Sequence, residues 1–475
     1  MILRIARKEL TEMARDGRLR WATGIVVSLL LAALAAGWTR YRDVQALTVA
    51  AQASARQHWL AQPPRNAHAA AHYGVYAFKP ALPLSFVDRG VDPYVGVFAW
   101  LEAHKQNDFK YRPAQDGSAV ERFGTWTAAA VLQLLVPLVI VMAAFPTFAG
   151  EREQGTLGQL LAAGVRTRDL LLGKALGIAA ALGTLLVPVA LLGAVALALG
   201  SEVAALGDTW ARVGVLALSY LLYFTVFVAV ALAVSARART ARGALVGLLA
   251  FWSLNAFLVP RGVTDLARRA HPVPSALEVN LAMERALSAT GDGSDARALQ
   301  DSVLRAHHVS TIDSLPFNFR GLTLERGEEH SYHVFDRTYS ALDAAFRSQD
   351  RVEHALSALS PLVAVRALSM GLAGTDYPQH RHFAEAAERY RRMLVRTMNG
   401  AVSSYAPAGP ASAMSSDSTL WASIPPFEYD APTVAWVLGR YGWALGVLAL
   451  WAAAAGALAL LLARGGSPLA RESVR

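Results

Sequence analysis

Six stretches of the chain are apolar, uncharged in their interiors apart from Lys174 near the start of the third, and about as long as a bilayer is thick. No motif constrains the fold as strongly. They are Trp21–Trp38, Thr125–Phe148, Leu171–Gly200, Val213–Val234, Gly243–Pro260 and Tyr441–Ala463. A helix needs about 20 mostly apolar residues to cross hydrocarbon, where no water can satisfy its peptide groups. Composition agrees: 54% of residues are hydrophobic and 17% charged, against about 25% charged in ordinary soluble domains. The pattern predicts an all-α polytopic membrane protein with six transmembrane helices. Pro188 lies in the middle of the third stretch, where a kink is tolerable in a packed bundle.

Basic residues orient the spans, because short loops rich in Lys and Arg stay in the cytoplasm. Residues 1–20 carry Arg4, Arg7, Lys8, Arg15, Arg18 and Arg20, and the loop 149–170 carries Arg152, Arg166 and Arg168. The loop 235–242 carries Arg237, Arg239 and Arg242, and the tail 464–475 carries Arg464, Arg471 and Arg475. The turn 201–212 opens with SEVAALGD, which has no basic residue. Both termini are therefore expected in the cytoplasm. The net charge of +9 is accounted for by this orientation, and no nucleic-acid partner is implied. Within 1–20, Ile2, Ile5, Leu10 and Met13 recur at roughly helical spacing among charges that include Glu9, Glu12 and Asp16. That is the pattern of an amphipathic helix lying in the interface, not of a cleaved signal peptide.

Two long segments, 39–124 and 261–432, are then extracytoplasmic insertions, and they hold all twelve histidines. The second is expected to be helix-rich, with apolar residues at helical spacing in Ser275–His308 and Thr338–Met370 and a charged helix pattern in His382–Met398. The prolines of PPRNAHAAAHYG and KPALPLSF predict irregular or extended backbone in the first, with one short helix at Tyr94–Lys105. Pro, Gly and Ser cluster at Ala406–Ser418, marking a loop before the last span and its lead-in, 433–463.

The segment between the second and third spans is compact and charged. It reads Glu151-Arg152-Glu153-Gln154-Gly155-Thr156-Leu157, then Leu160-Leu161, a basic turn Val165-Arg166-Thr167-Arg168, and Asp169–Lys174. It follows span two with no polar spacer, and its leucines recur at helical spacing. A short helix with one apolar and one charged face can lie under the membrane and offer a surface to a soluble partner. This order of residues resembles the signature of ABC-2 type transporter permeases. The resemblance implies a coupling helix docked on a separate ATP-binding subunit. It makes Glu151, Arg152 and Glu153 the docking residues and Gly155 the turn, places Thr156 and Leu157 in the same coupling set, and adds Arg237 and Arg239 as a second contact. The stretch Leu359–Arg392, LSPLVAVRALSMGLAGTDYPQHRHFAEAAERYRR, resembles a branch of that class with large extracytoplasmic insertions. That branch is mostly described as a domain of unknown function, and it is similar to permeases of gliding-motility and nitrous-oxide-reductase maturation systems.

Other chemistry finds little foothold. A phosphate-cradling loop needs G-x-x-x-x-G-K followed by Ser or Thr; in RDLLLGKA, Arg168 stands for the first glycine and Ala175 for the hydroxyl. The chain is therefore expected not to be an enzyme and to bind no cofactor, with ATP and magnesium on the partner. There is no G-x-S-x-G elbow, no H-E-x-x-H string and no cysteine, so no catalytic residue is assigned. His307-His308, His330 with His333, and the HRH string at His380–His382 were weighed as metal ligands, and no metal site is assigned. Proton- or ion-driven carriers keep ionisable groups at membrane depth, and apart from Lys174, near the start of the third stretch, the span interiors hold none. Their noticeable polar residues are Gln133, Ser253 and Asn255. Helix–helix hydrogen bonding accounts for them, with Gln133 and Asn255 as candidates for lining a conduit.

The resemblance implies a permease subunit in a bacterial inner membrane, paired with a second permease and two ATPase subunits, that exports a substrate or transmits ATP-driven motion. The alternative is a membrane-anchored module whose 261–432 segment engages a periplasmic protein and moves no solute. A third reading, an ATP-independent sensor, requires no ATPase partner.

Overall fold

The computed structural model describes residues 1–116, 126–200, 206–289, 294–407 and 415–464. The start of the second stretch at Thr125, part of the turn 201–212, part of the Ala406–Ser418 loop and the tail beyond Arg464 lie outside the described residues. Helices dominate. Among the described residues, six are long and apolar enough to cross a membrane, as expected of a multi-pass membrane protein. In chain order the elements are α1 (Ile2–Arg15), α2 (Gly17–Leu60), α3 (Ala67–Tyr73), β1 (Val75–Phe78), β2 (Phe98–Glu102) and β3 (Lys105–Gln106). Then come α4 (Ala128–Glu153), α5 (Thr156–Ala162), α6 (Thr167–Gly200), α7 (Leu206–Arg237) and α8 (Ala241–Ala270). The rest are α9 (Ala276–Ser288), α10 (Ser294–Ala306), α11 (Phe319–Leu356), α12 (Pro361–Ala373), α13 (Tyr377–Ser403), α14 (Ser418–Ser423) and α15 (Val434–Arg464). The spans are α2, α4, α6, α7, α8 and α15.

Burial sorts the spans into two classes. The most apolar windows of α4 and α7 are 61% and 56% buried, whereas those of the other four are 17% buried. So α4 and α7 form the centre, and α2, α6, α8 and α15 lie around them with fewer buried residues. The shared core includes Val136, Ile140, Tyr223, Phe227, Leu232 and Leu448.

Several boundaries differ from the sequence expectation, for one physical reason. Hydropathy ends where lipid ends, but a helix ends where the chain supplies a stop. The first span was read as 21–38, yet α2 continues for 44 residues, because nothing between Thr39 and Leu60 is Gly or Pro. It stops just before Pro63-Pro64. In the same way α4 runs through Glu153 and α8 through Ala270.

The first insertion also departs from expectation. Tyr94–Lys105 is not a helix. It contains β2, the middle strand of a small antiparallel sheet ordered β1-β2-β3. The register pairs Tyr76 with Trp100 and Phe78 with Phe98, and Ala77 with Ala99. Alternation puts the aromatics on one face, where neighbouring rings lie 5.6–5.7 Å apart. The other face, Ala77, Ala99 and Leu101, is buried against Phe383 and Ala387 of α13. This period-2 pattern outweighs the short apolar run that suggested a helix, and the all-α description is corrected by this one sheet.

α12 is the second departure. It lies within 261–432, but Leu362, Ala364, Val365, Leu368 and Leu372 belong to the same apolar core as the spans, and the helix packs on α7 and α15. Its fit depends on Gly371, where a Cβ would stand 2.6 Å from the Tyr441 ring. Gly374, at φ +77°, caps the helix, a left-handed conformation that glycine adopts without penalty. The chain then turns into α13, whose N-cap Asp376 accepts from the Gln379 amide at 3.0 Å and from the Tyr441 hydroxyl at 2.5 Å. Replacing Gly371 with valine overpacks this seam. The expected loss is about 1–3 kcal/mol of stability, read as a lowered Tm of the detergent-solubilised protein; an unchanged Tm would show that α12 does not pack on α15.

Candidate functional site

At the end of the bundle formed by α1, the last turn of α4 and the start of α6, buried charges meet. α1 rests on α6 because Gly173 and Gly177 leave room. A Cβ on Gly173 would stand 2.6 Å from the Ile5 Cβ, and one on Gly177 would stand 2.7 Å from the Glu9 Cβ. Between the glycines, Lys174 is 1% exposed. Its Nζ donates to Glu9 Oε1 at 2.7 Å and lies 3.0 Å from Glu151 Oε1. The ammonium also sits 5.2 Å from the Phe148 ring centroid. Lys8 donates to the same Glu151 oxygen at 2.9 Å and pairs with Glu12 at 3.3 Å. Burial works against a charged Lys8, but the hydrogen bond and charge of Glu151, with Glu9 and Glu12, outweigh it and raise the lysine pKa. The buried Lys174 thus faces a buried carboxylate, Glu9, and a half-buried one, Glu151, with Lys8 shared between Glu151 and the exposed Glu12; such pairing is the condition under which charge can stay inside a protein.

Pro146 lacks an N–H and interrupts the hydrogen-bond ladder of α4 ahead of Glu151, while Phe145 keeps helical dihedrals. Ser235 of α7 fills the gap. Its Oγ accepts from the amides of Phe148 and Ala149 at 3.0 and 3.2 Å and donates to the Phe145 carbonyl at 2.8 Å. One turn on, Arg152 donates to the Ala236 carbonyl at 2.7 Å and to the Ala238 carbonyl. Those are orphan acceptors at the C-terminus of α7, where a cation is favoured.

Beyond Glu153 the chain is exposed. Gly155 has φ +75°, which turns α5 away from α4. The Thr156 hydroxyl bonds back to the Glu151 carbonyl at 3.2 Å. α5 has no buried residue. Glu153, Gln154, Gln159 and Leu161 are exposed, as are Arg237 and Arg239 on the adjoining loop. Leu157 is half-buried against the core.

The residues singled out in sequence therefore divide. Glu151 and Arg152 anchor the turn through their partners; Gly155 and Thr156 shape it; Glu153, Arg237 and Arg239 are exposed. Gln133 and Asn255 are buried, each within a π-helical turn. Gln133 donates to the Tyr220 hydroxyl at 3.1 Å, and the Asn255 amide donates to the Phe251 carbonyl at 2.9 Å. Sequence reasoning missed the roles of Lys8, Glu9, Lys174 and Ser235. Glu9 and Lys174 are 165 residues apart, so only the glycine pair flanking Lys174 hinted at close packing there.

Replacing Lys174 with methionine keeps the volume and removes the charge, leaving Glu9 and Glu151 confronting each other. Breaking a buried pair this way is expected to cost about 3–5 kcal/mol, measured by thermal unfolding in detergent. Adding Glu9→Gln and Glu151→Gln should recover most of that loss.

No curated protein matches the chain. Residues 276–430 match a family described as a domain of unknown function (DUF3526). The match begins at the first residue of α9 and ends shortly before α15, so it covers the helix-rich segment, α12 included, and none of the charge network. Over those residues the chain is similar to a family whose role is undefined.

Proposed function

We propose that this chain is the membrane subunit of an ATP-driven transporter of the ABC-2 permease type. In this reading it lies in a bacterial inner membrane, with both termini cytoplasmic and α1 in the interface. It pairs with a second permease, and ATP and magnesium bind to separate subunits. The observation that carries the reading is α5: a short helix with no buried residue, mounted on a turn fixed by buried ion pairs and carbonyl contacts. Rigid mounting below and an uncovered surface above are what a docking element needs if a partner's motion is to reach the spans. Glu153, Gln159, Leu161, Arg237 and Arg239 supply that surface, and Glu151 and Arg152 transmit through the pairs they make.

α12 supports the second reading, in which motion rather than solute crosses the membrane. It packs along α7 and α15 and passes through Gly374 directly into α13, so movement of the spans is carried into the 261–432 segment without a flexible linker.

Because Glu151 is internal, the coupling test uses exposed positions. Wild-type protein purified gently from its native membrane is expected to bring an ATPase with it. The combination Glu153→Arg, Leu161→Asp and Arg239→Glu should reduce the co-purified ATPase activity at least about tenfold, while each surface change alters stability by no more than about 0.5 kcal/mol. Absence of any ATPase with the wild type, under conditions that preserve complexes, overturns the reading.

A further inference from the structure

At the opposite end of the bundle three imidazoles converge. His68 and His72 lie one turn apart on α3, and His104 sits on the two-residue turn joining β2 to β3. The ring centroids are 4.8, 5.0 and 5.0 Å apart. One nitrogen from each ring lies within 4.8 Å of the others. We propose that His68, His72 and His104 bind one divalent transition-metal ion, with zinc the reference case, and leave a fourth coordination position open.

The hydrogen bonds around the cluster set the tautomers. His68 Nδ1 is 2.8 Å from Asn399 Oδ1. The Asn399 amide nitrogen donates to Glu325 Oε2 at 3.3 Å, which fixes Oδ1 as an acceptor and places the proton on His68 Nδ1. His104 Nδ1 is 2.7 Å from Glu328 Oε1, an acceptor only, so its proton is also on Nδ1. The Nε2 atoms of both rings then carry lone pairs, yet they face each other at 3.1 Å. Two lone pairs at that distance repel unless a metal ion or a proton lies between them, and the metal is the alternative that also uses His72. Nitrogens at zinc–nitrogen distance in a tetrahedron stand about 3.3 Å apart. His72 is exposed and supplies the third ligand from the solvent side.

The surroundings are built as metal sites are. Histidine ligands usually give their second N–H to a carboxylate or carbonyl oxygen, which orients the ring, and Glu328 and Asn399 do so here. Glu328 is fully buried and also accepts from the His104 amide at 2.8 Å. Behind it, Arg391 bonds Glu388 through two nitrogens, and Arg392 bonds both Glu388 and Asp336. Glu328, Glu388 and Asp336 carry three negative charges against two positive ones on Arg391 and Arg392. The net −1 favours a cation at the histidines. His104 also holds φ +65°, a left-handed conformation a turn would ordinarily give to Gly or Asn. Three neutral nitrogen ligands and an open fourth position suit zinc and its borderline neighbours over calcium or magnesium, which take oxygen.

The site stands independently of the transporter reading. The full chain, purified in detergent and stripped with a chelator, is titrated with cobalt(II) and then with zinc(II). One tightly held ion per chain, with the visible spectrum of tetrahedral cobalt that zinc displaces, is expected. His72→Ala removes an exposed ligand with little effect on folding and should abolish the tight site, while His271→Ala leaves it intact. Glu328→Gln should weaken it about 10–100-fold. Failure of the wild type to hold cobalt or zinc, or equal uptake by His72→Ala, overturns the assignment. In that case a proton shared between His68 and His104 accounts for the contact.

Discussion

In hydrocarbon, a peptide group released from its helix must find a new partner, and such releases fix how these helices pack. Pro137 and Pro260 each remove a donor from the interior of a span, and each is preceded by a π-helical turn, Val131–Leu135 and Leu254–Leu258. A proline ring collides with the carbonyl four residues earlier, which for Pro137 is that of Gln133. That carbonyl receives the Tyr223 hydroxyl at 2.8 Å, and its neighbour at Leu134 receives the Trp252 indole at 3.0 Å. In the second turn, the Asn255 carbonyl accepts from Ser360 at 3.3 Å. With Ser235 at Pro146, these bonds determine which helix lies beside which. Apolar packing alone would allow many rotations of a greasy helix; the donors single out one.

Charge follows the same logic at both ends of the bundle. Lys174 is buried at one end, against Glu9 of α1 and Glu151 of α4, and Arg391 at the other, against Glu388 one turn back on α13 and Glu328 of α11. Because breaking one partner strands the rest, both clusters hold distant segments in one arrangement. At the first end the cluster joins α1, α4 and α6. At the second it joins α11 to α13 and, through Glu328, reaches the β2–β3 turn.

The spans were legible because their signal is local: runs of apolar residues set by bilayer thickness. The exposed half of the candidate site was legible for a similar reason, since Gly155 and the charges around it lie within one short string. The inward half was not, because Glu151 owes its role to Lys174, Lys8 and Glu9, whose proximity depends on Gly173 and Gly177 letting two helices touch. The packing of α12 against the spans was not legible because PLVAVRALSMGLA is too short to span and carries an arginine. The histidines that converge come from α3 and a β turn, neither of which the sequence reading identified. The segment that holds His330 and His333, EEHSYH, instead contributes its first glutamate, Glu328, to orient His104.

The uninterrupted course of α2 has a mechanical meaning. Its 44 residues make a rod about 66 Å long at 1.5 Å per residue. The rod is hinged at Asp16, where the chain leaves α1 with extended backbone, and is bolted at its far end by Trp59 and Arg56 to the backbone of Trp421 and Ile424. Such a rod is a lever arm. A tilt of about 5° at the Asp16 end sweeps the far tip through about 6 Å over that length. Any tilt of α2 about its Asp16 end is therefore largest where α2 meets the segment leading into α15.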